Sequence, residues 1–485
     1  MASSGVKPCA DKETLLTFSR SRNNVSGRCN LLRIMSRIRL VVTSLAKHNC
    51  DLPVVISGAG IAGLASAVAL HKEGFHVQVL ETAPTLRQEG TAIGLWDNAW
   101  KALDSLGVAG GLRTNYSALD KVELCQGPKG RLLKHFSFSD CEGGAGSEFR
   151  AVHRSALLEA LADSLPPETI SFGTSVLSFS QQAEQPNAAA TASNTGHGNS
   201  GTVPNVLAGV RDSMLRVRVQ KGSVQEDLDA AILVGADGVR SAVAQQLGMP
   251  LPNYSGYSAY RGVATLGQEG VKRVGLPAGT IRQIWGAGVR AGVYQLNDSE
   301  LYWFVCFNAD LQSTSDAPEQ HLQKALALVK GWSWSLENII QSTSPDQVSR
   351  SRCVDRWTLS PWGKGQVTLT GDAAHPMTPN LGQGGCTALE DAILLAAVLR
   401  PLASLEGQPS EGKVSTALRK FEQLSSARCL PLTVRSNLMG AALQLEAAPI
   451  TLARDAFVGS TLFSPAHFLD HAKYDLHAAV MRAQN

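Results

Sequence analysis

Six residues near the start of the chain have the types and spacing of a phosphate-binding turn. Gly58-Ala59-Gly60-Ile61-Ala62-Gly63 follows a short apolar run and opens a stretch with helical spacing. In such a turn Gly58 permits a tight bend, Gly60 lets a pyrophosphate approach the backbone, and Gly63 allows helix and strand to pack closely. The unpaired N–H groups and the positive dipole end of the helix then face the phosphates.

A carboxylate follows where a dinucleotide-binding unit needs one. Glu81 ends a second strand-like run through Val77 and Val79, and it lies 18 residues after Gly63. At that place a carboxylate accepts hydrogen bonds from ribose hydroxyls and repels a 2′-phosphate. These residues therefore predict a dinucleotide site that does not hold NADP, but they do not separate FAD from NAD.

Two later segments repeat the pattern of an apolar strand followed by a glycine-containing turn. Residues 230–248 carry Gly-Ala-Asp-Gly before a helical run, and residues 366–375 lead into Gly371 and Asp372. We expect one parallel sheet assembled from these distant segments. Between them lie aromatic-rich, strand-like runs at 258–266 and 292–307, which predict a separate, largely antiparallel sheet.

The stretch from 371 to 392 combines much bare backbone with few reactive side chains. After Asp372 it holds Pro376 and Pro379, followed by glycines at 382, 384 and 385. It has no Ser-His-Asp spacing, no cluster of metal ligands and no phosphate-loop lysine, so we name no catalytic residue and no metal ligand. The pattern favours a segment that holds a reagent and does not itself react.

Together, the first glycine motif, the Gly-Ala-Asp-Gly turn and the 371–385 stretch resemble the aromatic-ring-hydroxylase type of single-component, FAD-dependent flavoprotein monooxygenase. The resemblance spans about residues 54–400 and is greatest to salicylate-hydroxylase-like and zeaxanthin-epoxidase-like members of plants and algae. It implies an α/β fold with a Rossmann-like FAD-binding domain of the glutathione-reductase and p-hydroxybenzoate-hydroxylase type. An interleaved antiparallel β-sheet substrate domain and a helical C-terminus complete the implied fold.

The resemblance also assigns cofactor-binding roles. Asp372 matches the aspartate that binds the ribityl chain, and Asp237 matches the one that organises the approach of nicotinamide and FAD. Arg154, and less closely Arg150, matches arginines near the FAD phosphate or ribitol, and N–H groups around Gly385 match those facing flavin O2. The implied cofactor-binding set is Gly58, Gly60, Ile61, Ala62, Gly63, Glu81, Arg87, Arg154, Asp237, Asp372, Pro379, Gly382, Gly384, Gly385 and Cys386.

The implied activity is oxygen transfer to a small apolar, aromatic or isoprenoid substrate by hydroxylation or epoxidation. NAD(P)H reduces FAD, reduced flavin captures O2, and a flavin C4a-hydroperoxide delivers one oxygen atom. Such an oxidant needs a water-poor cavity and no protein nucleophile. Tyr260 and Arg261 either line the substrate face or are ordinary sheet residues. An FAD-dependent oxidase, dehydrogenase or reductase on the same fold, and a non-enzymatic FAD-binding protein, remain alternatives.

The first fifty residues differ from the rest of the chain. They hold nine Lys or Arg against Asp11 and Glu13 and are rich in serine, which is typical of an organelle-targeting peptide. We expect a chloroplast protein, with mitochondrion or cytoplasm as alternatives. The net charge of +3 does not favour nucleic acid. The expected partners are therefore a small-molecule substrate and O2, with the oligomeric state unassigned.

The expected organisation has three parts and several insertions. The parts are a targeting or disordered N-terminus at 1–50, an FAD-binding domain at 51–400 and a helical region at 401–485. The FAD-binding domain contains inserted substrate-sheet segments at about 113–149 and 250–350 and a disordered insertion at 180–209.

Three further stretches have a plainer interpretation than the motifs they resemble. The Gly286–Ala291 stretch fits G-x-G-x-x-A but precedes a strand-like run, which predicts a hairpin turn. The Trp332–Ser335 stretch resembles the tryptophan motif of flavin-dependent halogenases without its Ile-Pro, and we interpret it as a buried helical face. The apolar tail 460–480 is interpreted as a packed terminal helix, with cover of the substrate opening or peripheral membrane contact as alternatives.

Overall fold

The computed structural model describes residues 52–86, 91–141, 143–182, 214–312, 317–405 and 407–484. The predicted targeting segment 1–50, most of the predicted insertion and the candidate residue Arg87 lie outside these ranges. Residues 180–182 of that insertion are described, and they continue a strand.

The described residues form the following strands and α-helices. The strands are β1 (Val54–Ser57), β2 (Val77–Glu81), β3 (Ala92–Trp96), β4 (Lys121–Gln126), β5 (Leu132–Ser137), β6 (Phe149–His153), β7 (Ile170–Phe172), β8 (Thr174–Gln182), β9 (Met214–Lys221), β10 (Val224–Ala230), β11 (Ile232–Gly235), β12 (Asn253–Thr265), β13 (Thr280–Trp285), β14 (Val289–Gln295), β15 (Glu300–Asn308), β16 (Ser349–Asp355) and β17 (Val367–Leu369). The α-helices are α1 (Ile61–Lys72), α2 (Asp97–Leu106), α3 (Ala109–Asn115), α4 (Arg154–Ala162), α5 (Ala242–Gln246), α6 (Gly267–Arg273), α7 (His321–Leu328), α8 (Leu336–Gln341), α9 (Gly384–Ala403), α10 (Glu411–Leu443), α11 (Ala448–Gly459) and α12 (Leu476–Gln484).

Five parallel strands form the sheet that carries the glycine turns. Their order is β17-β11-β1-β2-β7, and β1 pairs with β2 on one side and with β11 on the other. Because the carboxyl ends of parallel strands lie at one edge of a sheet, the turns after β1, β11 and β17 meet there. The predicted single sheet built from distant segments is confirmed.

Helices α1 and α9 pack against each other and share the core of the five-stranded sheet. Residues 61–70 of α1 are all buried, which explains why apolar residues surround this helix. The sequence predicts that α9 closes at Arg400 and Pro401, whereas the helix runs on to Ala403. A proline lacks only its own N–H, so in the last turn it removes a single hydrogen bond. Arg400 also pairs with Glu73, just after α1, at 2.6 Å.

The second large sheet has seven strands in the order β16-β12-β15-β14-β13-β4-β5. Its neighbours are antiparallel except β13 and β4, so the predicted, largely antiparallel sheet is confirmed. One face packs on α7 and α8 in a core of its own, where Trp303, Val305 and Ile339 are buried. The smaller sheets are the antiparallel β8-β9-β10 and the pair β3-β6.

The two motif-like stretches have different outcomes. The 286–291 stretch is the predicted hairpin turn, which joins the antiparallel strands β13 and β14. The Trp332–Ser335 stretch is not helical, because Trp334 and Ser335 have φ of 73° and 56° between α7 and α8. Tertiary packing overrides the local pattern here: a Cβ on Gly127 or Gly286 would lie 2.3 or 2.6 Å from the Trp332 ring.

The chain ends in helices that pack on the core. The packed helix predicted over 460–480 is confirmed only at its end, where helix α12 begins at Leu476 and buries Leu476, Ala479 and Ala483. The residues before it form two short 3₁₀ turns, Pro465–Phe468 and Asp470–Ala472. Across the described ranges, none of the helices is both long and apolar enough to cross a membrane.

Candidate active site

The turn after β1 needs each of its glycines for a different reason. Gly58 has φ of 101°, and a Cβ on it would lie 2.7 Å from the Ala236 carbonyl oxygen. A Cβ on Gly63 would lie 1.9 Å from the Gly58 oxygen, so α1 could not approach the turn. Around Gly60 the nearest atom to such a Cβ is Arg154 Nη2 at 3.9 Å. A side chain is therefore sterically excluded at Gly58 and Gly63, whereas the backbone at Gly60 has open space beside it.

Glu81, at the end of β2, holds this turn in place. Its Oε2 accepts a hydrogen bond from the Ala59 N–H at 2.7 Å, and its Oε1 accepts one from the Ala83 N–H at 2.9 Å. A carboxylate has about four acceptor positions, so both oxygens keep capacity for ribose hydroxyls. The residue that the sequence predicts to bind ribose is thus also a clamp on the backbone.

Asp372 follows β17 and opens onto a cavity of about 450 Å³. The Asp372 side chain is exposed to the cavity, and the cavity is enclosed by other parts of the protein. Burial raises the pKa of Asp372, and the positive charges of His375, Arg154 and Arg356 act against that rise. A carboxylate in this position can accept hydrogen bonds from the hydroxyl groups of a bound ligand.

A second carboxylate, Asp391 of α9, fixes the loop that carries Asp372. It accepts hydrogen bonds from the Gly371 N–H at 3.0 Å, from His375 Nε2 at 2.7 Å and from the Ser425 hydroxyl at 2.5 Å. Burial acts to raise the pKa of Asp391, but His375 and these hydrogen bonds hold it below its ordinary value. Sequence reasoning missed Asp391, because no local motif marks a carboxylate inside an apolar helix.

Two buried thiols, those of Cys386 and Cys429, lie near the site. Cys386 donates to the Gly382 carbonyl oxygen at 3.4 Å, and burial raises its pKa to about 12. Burial also raises the pKa of Cys429, whose sulfur lies within 4.8 Å of ligand-type atoms of His375 and Asp391. Because Asp391 is already bound by hydrogen-bond donors, we assign this cluster to support of the loop. A protonated thiol is a poor nucleophile. The expected contribution of Cys386 is therefore its backbone N–H near the start of α9.

The structure separates the remaining candidates by their distance from the cavity. Arg154, the first residue of α4, lines it. Arg150 does not, because it pairs with Glu148 at 2.7 Å. Asp237 also stands back from the cavity, and its Oδ2 accepts the Ala242 N–H at the start of α5. A short side chain bonded to the adjacent helix end cannot also extend into the cavity.

The cavity lies between the glycine turn, the start of α9 and the seven-stranded sheet. The candidates that line it are Gly60, Ile61, Ala62, Arg154, Asp372, Pro379, Gly382, Gly384 and Gly385. The described candidates that stand behind this lining are Gly58, Gly63, Glu81, Asp237 and Cys386. Since α9 begins at Gly384, its unpaired N–H groups and positive dipole end lie at the cavity wall.

The opposite wall is one face of the seven-stranded sheet. Arg261 of β12 lies beside Phe304 of β15, and Tyr302 lies beside Tyr294 of β14. Alternate residues of a strand point to the same face, so this register gathers them on one side. The described sheet residues that line the cavity are Arg261, Ile281, Gln283, Arg290, Tyr294, Tyr302, Phe304 and Cys306. Gly292 makes room there, because a Cβ on it would lie 2.2 Å from the Phe304 ring.

Of the two residues that the sequence offers for the substrate face, only Arg261 lines the cavity. Tyr260 is 1% exposed, and its ring stacks on Phe307 at 4.9 Å in the other core. The sequence analysis missed the aromatic wall. The signal was the alternation of residues 302, 304 and 306, which predicts one shared face once the sheet is assumed.

The sequence matches the family model described as FAD binding domain, over residues 51–204 and 205–423. The chain belongs to this FAD-binding family. Aurachin C monooxygenase/isomerase of Stigmatella aurantiaca is 31% identical over 82% of this chain and 91% of that protein. A chloroplastic zeaxanthin epoxidase of an Oncidium hybrid cultivar is 28% identical over 87% of this chain and 61% of that protein.

Solved structures share the fold of this FAD-binding chain. Klebsiella pneumoniae HpxO, complexed with FAD and uric acid, superposes with a TM-score of 0.68 at 22% identity, covering 89% of this chain and 96% of that one. The expected fold class is confirmed. The chain is an FAD-dependent monooxygenase with NAD(P)H as co-substrate, so the expected function and cofactors are also confirmed.

The described residues fit FAD. Open space at Gly60, the accessible Asp372 carboxylate and the glycines at the start of α9 form a cradle that side chains would fill. A Cβ on Gly385, for example, would lie 2.4 Å from Ile93 Cδ1. Bound FAD would supply the redox chemistry, which is hydride acceptance from NAD(P)H and activation of O2.

The chain itself orients, shields and stabilises charge. The N–H groups at the start of α9 can stabilise negative charge at the cavity wall. Aromatic residues of β14 and β15 form an apolar wall that excludes water, which a reactive oxidant requires. Orientation and exclusion of water account for a monooxygenase site without a protein nucleophile.

Proposed function

We propose that the enzyme hydroxylates a small, planar aromatic substrate that carries an acidic group. Two arginines of the sheet wall, Arg261 and Arg290, carry this proposal, because both line the cavity. Within the described residues, neither forms an ion pair with a carboxylate. A guanidinium in an enclosed wall without an acidic partner attracts an anionic group of a ligand.

Neutral groups hold both guanidiniums in place. Arg261 donates a hydrogen bond to the Ser351 hydroxyl. Arg290, which is 3% exposed, donates to Gln444 Oε1 at 3.1 Å and to the Asn380 side-chain oxygen. Hydroxyl and amide partners orient an arginine without neutralising it. The positive charge stays available to a substrate carboxylate, phenolate or enolate.

The rest of the wall suits a flat, mainly apolar ring. Phe149, Tyr294, Tyr302 and Phe304 line the cavity, and the rings of Phe149 and Tyr294 meet edge to face at 5.8 Å. The cavity of about 450 Å³ is at the lower end of small-molecule sites, roughly 300–1,000 Å³. Because the flavin ring must share this space, a substrate of one or two rings fits better than a long isoprenoid.

We also propose how the chain holds FAD. Gly60 and Arg154 bind the diphosphate, Glu81 the adenosine ribose, and Asp372 the ribityl chain. Open space at Gly60 and the position of Arg154 beside it support the first assignment. The other members of the proposed site are Ile61, Ala62, Pro379, Gly382, Gly384 and Gly385 in the cavity wall, Gly58, Gly63, Asp237 and Cys386 as support behind it, and Arg87 outside the described residues.

The substrate class is tested by NAD(P)H oxidation coupled to incorporation of oxygen from ¹⁸O₂. The panel pairs one- and two-ring aromatic acids with their methyl esters, and adds neutral phenols and a carotenoid. We expect product with one labelled oxygen from the acids, and much weaker stimulation by the esters. Equal turnover of esters and acids, or turnover of the carotenoid alone, would contradict the proposal.

The role of the arginines is tested by Arg261→Gln and Arg290→Gln. Each variant should raise KM for the acid roughly 10- to 100-fold, the loss of one charge-assisted hydrogen bond, with FAD absorbance unchanged. Arg216→Gln is the matched control, because Arg216 pairs with Asp229 on the exposed side of β9. KM values equal to the wild-type value in both wall variants would remove the anionic substrate from the proposal.

We propose a chloroplast location and peripheral membrane contact for the mature enzyme. The chloroplastic zeaxanthin epoxidase among its relatives and the basic, serine-rich residues 1–50 support the location. A fluorescent protein fused behind residues 1–50 should enter chloroplasts, and cytoplasmic retention would contradict this. Exposed apolar residues in the C-terminal helices support the membrane contact.

A further inference from the structure

Helix α11 has its polar and apolar faces reversed. Its exposed positions are Ala448, Pro449, Ile450, Leu452, Ala453, Ala456, Phe457 and Gly459, and none of them is polar. Ile450, Leu452 and Phe457 are 44%, 58% and 53% exposed. An ordinary surface helix turns its polar residues to water. A contiguous exposed apolar face of this kind marks an interaction surface.

The charged residues of α11 point inward. Arg454 and Asp455 pair at 2.8 Å, with side chains 13% and 2% exposed. The Arg454 guanidinium lies over the Trp285 ring, and Gln126 donates to Asp455 Oδ2 at 2.9 Å. These contacts anchor the helix on the end of the seven-stranded sheet. The outward apolar face is therefore a fixed feature of the folded chain.

A basic hairpin lies beside this face. The 127–137 segment, which includes β5, contains Lys129, Arg131, Lys134 and His135 and no acidic residue. Lys134 Nζ donates to the Ser460 carbonyl oxygen at 3.1 Å, directly after α11. The hairpin also adds an exposed apolar residue, Leu132, to the surface.

We infer that the outward face of α11, rimmed by the basic β4–β5 hairpin, docks the enzyme on an anionic lipid bilayer. An interfacial helix buries such an apolar face at the boundary of headgroups and acyl chains, and nearby Lys and Arg attract anionic headgroups. The exposed positions of α11 and the 127–137 segment carry no acidic residue, so a second copy of this surface would offer the basic rim no opposite charge. The charge of the rim thus favours lipid over self-association.

This inference assigns a surface to the membrane contact proposed above, and it does not depend on the proposed substrate. Strand β13 links the two regions, since Ile281 and Gln283 line the cavity while Trp285, at the end of the strand, lies under Arg454. The helix that carries the docked face is therefore anchored on a strand that also lines the active site.

The test is co-sedimentation of the FAD-loaded enzyme with two kinds of vesicle, without substrate. One kind is phosphatidylcholine alone, and the other adds phosphatidylglycerol. We expect binding to the anionic vesicles, and at least about tenfold weaker binding when Leu452→Asp and Phe457→Asp are combined. Leu251→Asp, at a site 76% exposed outside this face, is the matched control and should bind like the wild type.

A second variant tests the rim independently of the helix. Combined Lys129→Gln and Arg131→Gln should weaken binding to the anionic vesicles at low salt and leave binding to the neutral ones unchanged. Absence of wild-type binding, or equal binding by the wild type and the α11 variant, would overturn the inference. A dimer in light scattering that the α11 variant dissociates would instead make this face an interface between two copies. Turnover of aromatic acids without vesicles separates these results from a failure of the substrate proposal.

Discussion

Asp372 is the single carboxylate among the described residues that line the cavity, so it should strongly affect how tightly FAD is held. Arg154, Arg356 and His375 favour its charged form against the effect of burial on its pKa. Asp372→Ala removes an acceptor of charge-assisted hydrogen bonds. We expect the Kd for FAD, measured by flavin fluorescence, to rise roughly 10- to 100-fold.

The control for this variant is Asp310→Ala, which removes an exposed carboxylate outside the candidate site. Without FAD, both variants should unfold at nearly the wild-type temperature, because Asp372 forms no hydrogen bond that holds the fold in the described structure. An unchanged Kd for FAD in Asp372→Ala would remove that residue from the cofactor site.

Asp391 acts on the same loop from behind, and its effect should depend on pH. Asp391→Asn breaks a buried pair with His375, so we expect the free energy of unfolding to fall by about 3 kcal/mol at pH 7. The folded pKa of Asp391 lies below the ordinary 3.8. The stability that its ionised form contributes is therefore complete above about 3.8 and is lost as the pH falls through the folded value.

Chemical unfolding of the wild type and the variant between pH 7 and pH 3 measures this effect. The pKa of His375 is raised well above its ordinary 6.5, so its titration changes the difference nearer neutrality, and the range below about pH 5 reports on Asp391. There the difference in free energy of unfolding should shrink as the pH falls below the ordinary Asp pKa, and a difference that grows between about pH 4 and pH 3 would show that Asp391 is not ionised in the folded enzyme.

At the scale of one element, two glycines of the turn between β1 and α1 have different roles, one in stability of the fold and one in binding of FAD. Gly63→Ala places a Cβ 1.9 Å from a backbone oxygen, so we expect a loss of about 1–3 kcal/mol or more in the free energy of unfolding. Gly60→Ala meets no atom closer than 3.9 Å and should fold normally, but its methyl group occupies the proposed phosphate position. Its Kd for FAD should rise while the melting temperature of the FAD-free protein stays unchanged.

Gly110→Ala is the matched control for both variants. Gly110 lies in α3 with no atom within 4 Å of an added Cβ, so alanine there should stabilise by roughly 0.5–1 kcal/mol. Melting temperature and FAD titration of the three variants together check the argument. A Gly60→Ala variant that melts early while binding FAD normally would mean that the turn has no room for a phosphate.

The same contrast explains which elements the sequence predicts well. A strand, a glycine turn and a helix form one local unit, so Gly58 and Glu81 can be identified from spacing alone, whereas the role of Asp372 is implied by the resemblance to the flavoprotein monooxygenases. The Trp332–Ser335 stretch has local periodicity but no helix, because its conformation is set by contacts with glycines more than 40 positions away. A local sequence pattern therefore does not predict secondary structure where contacts with distant residues determine the backbone conformation.

At the scale of the whole molecule, the substrate wall is the part that sequence reasoning missed. Arg261, Arg290 and Phe304 come from three strands, and only the register of the sheet places them on one face. No spacing within a strand shows which of its two faces meets the cavity, because another layer of the fold decides that. Tyr260 and Arg261 are adjacent, yet they face opposite cores.

Residues 183–213 offer the last prediction, since the ends of the segment already meet. Gln182 of β8 pairs with Met214 of β9 in the antiparallel register, so a two-residue Asn-Gly turn can join them directly. We expect this replacement to keep FAD binding and turnover, and to raise the free energy of unfolding by up to about 2 kcal/mol, because a shorter loop loses less entropy on closure. Thermal unfolding measures the change in stability, and NAD(P)H oxidation measures turnover. The control is a full-length chain in which residues 183–213 keep their composition but stand in scrambled order. Loss of turnover in the replacement and the scrambled chain alike would show that this segment contributes to the site by its sequence, and not merely as a connection.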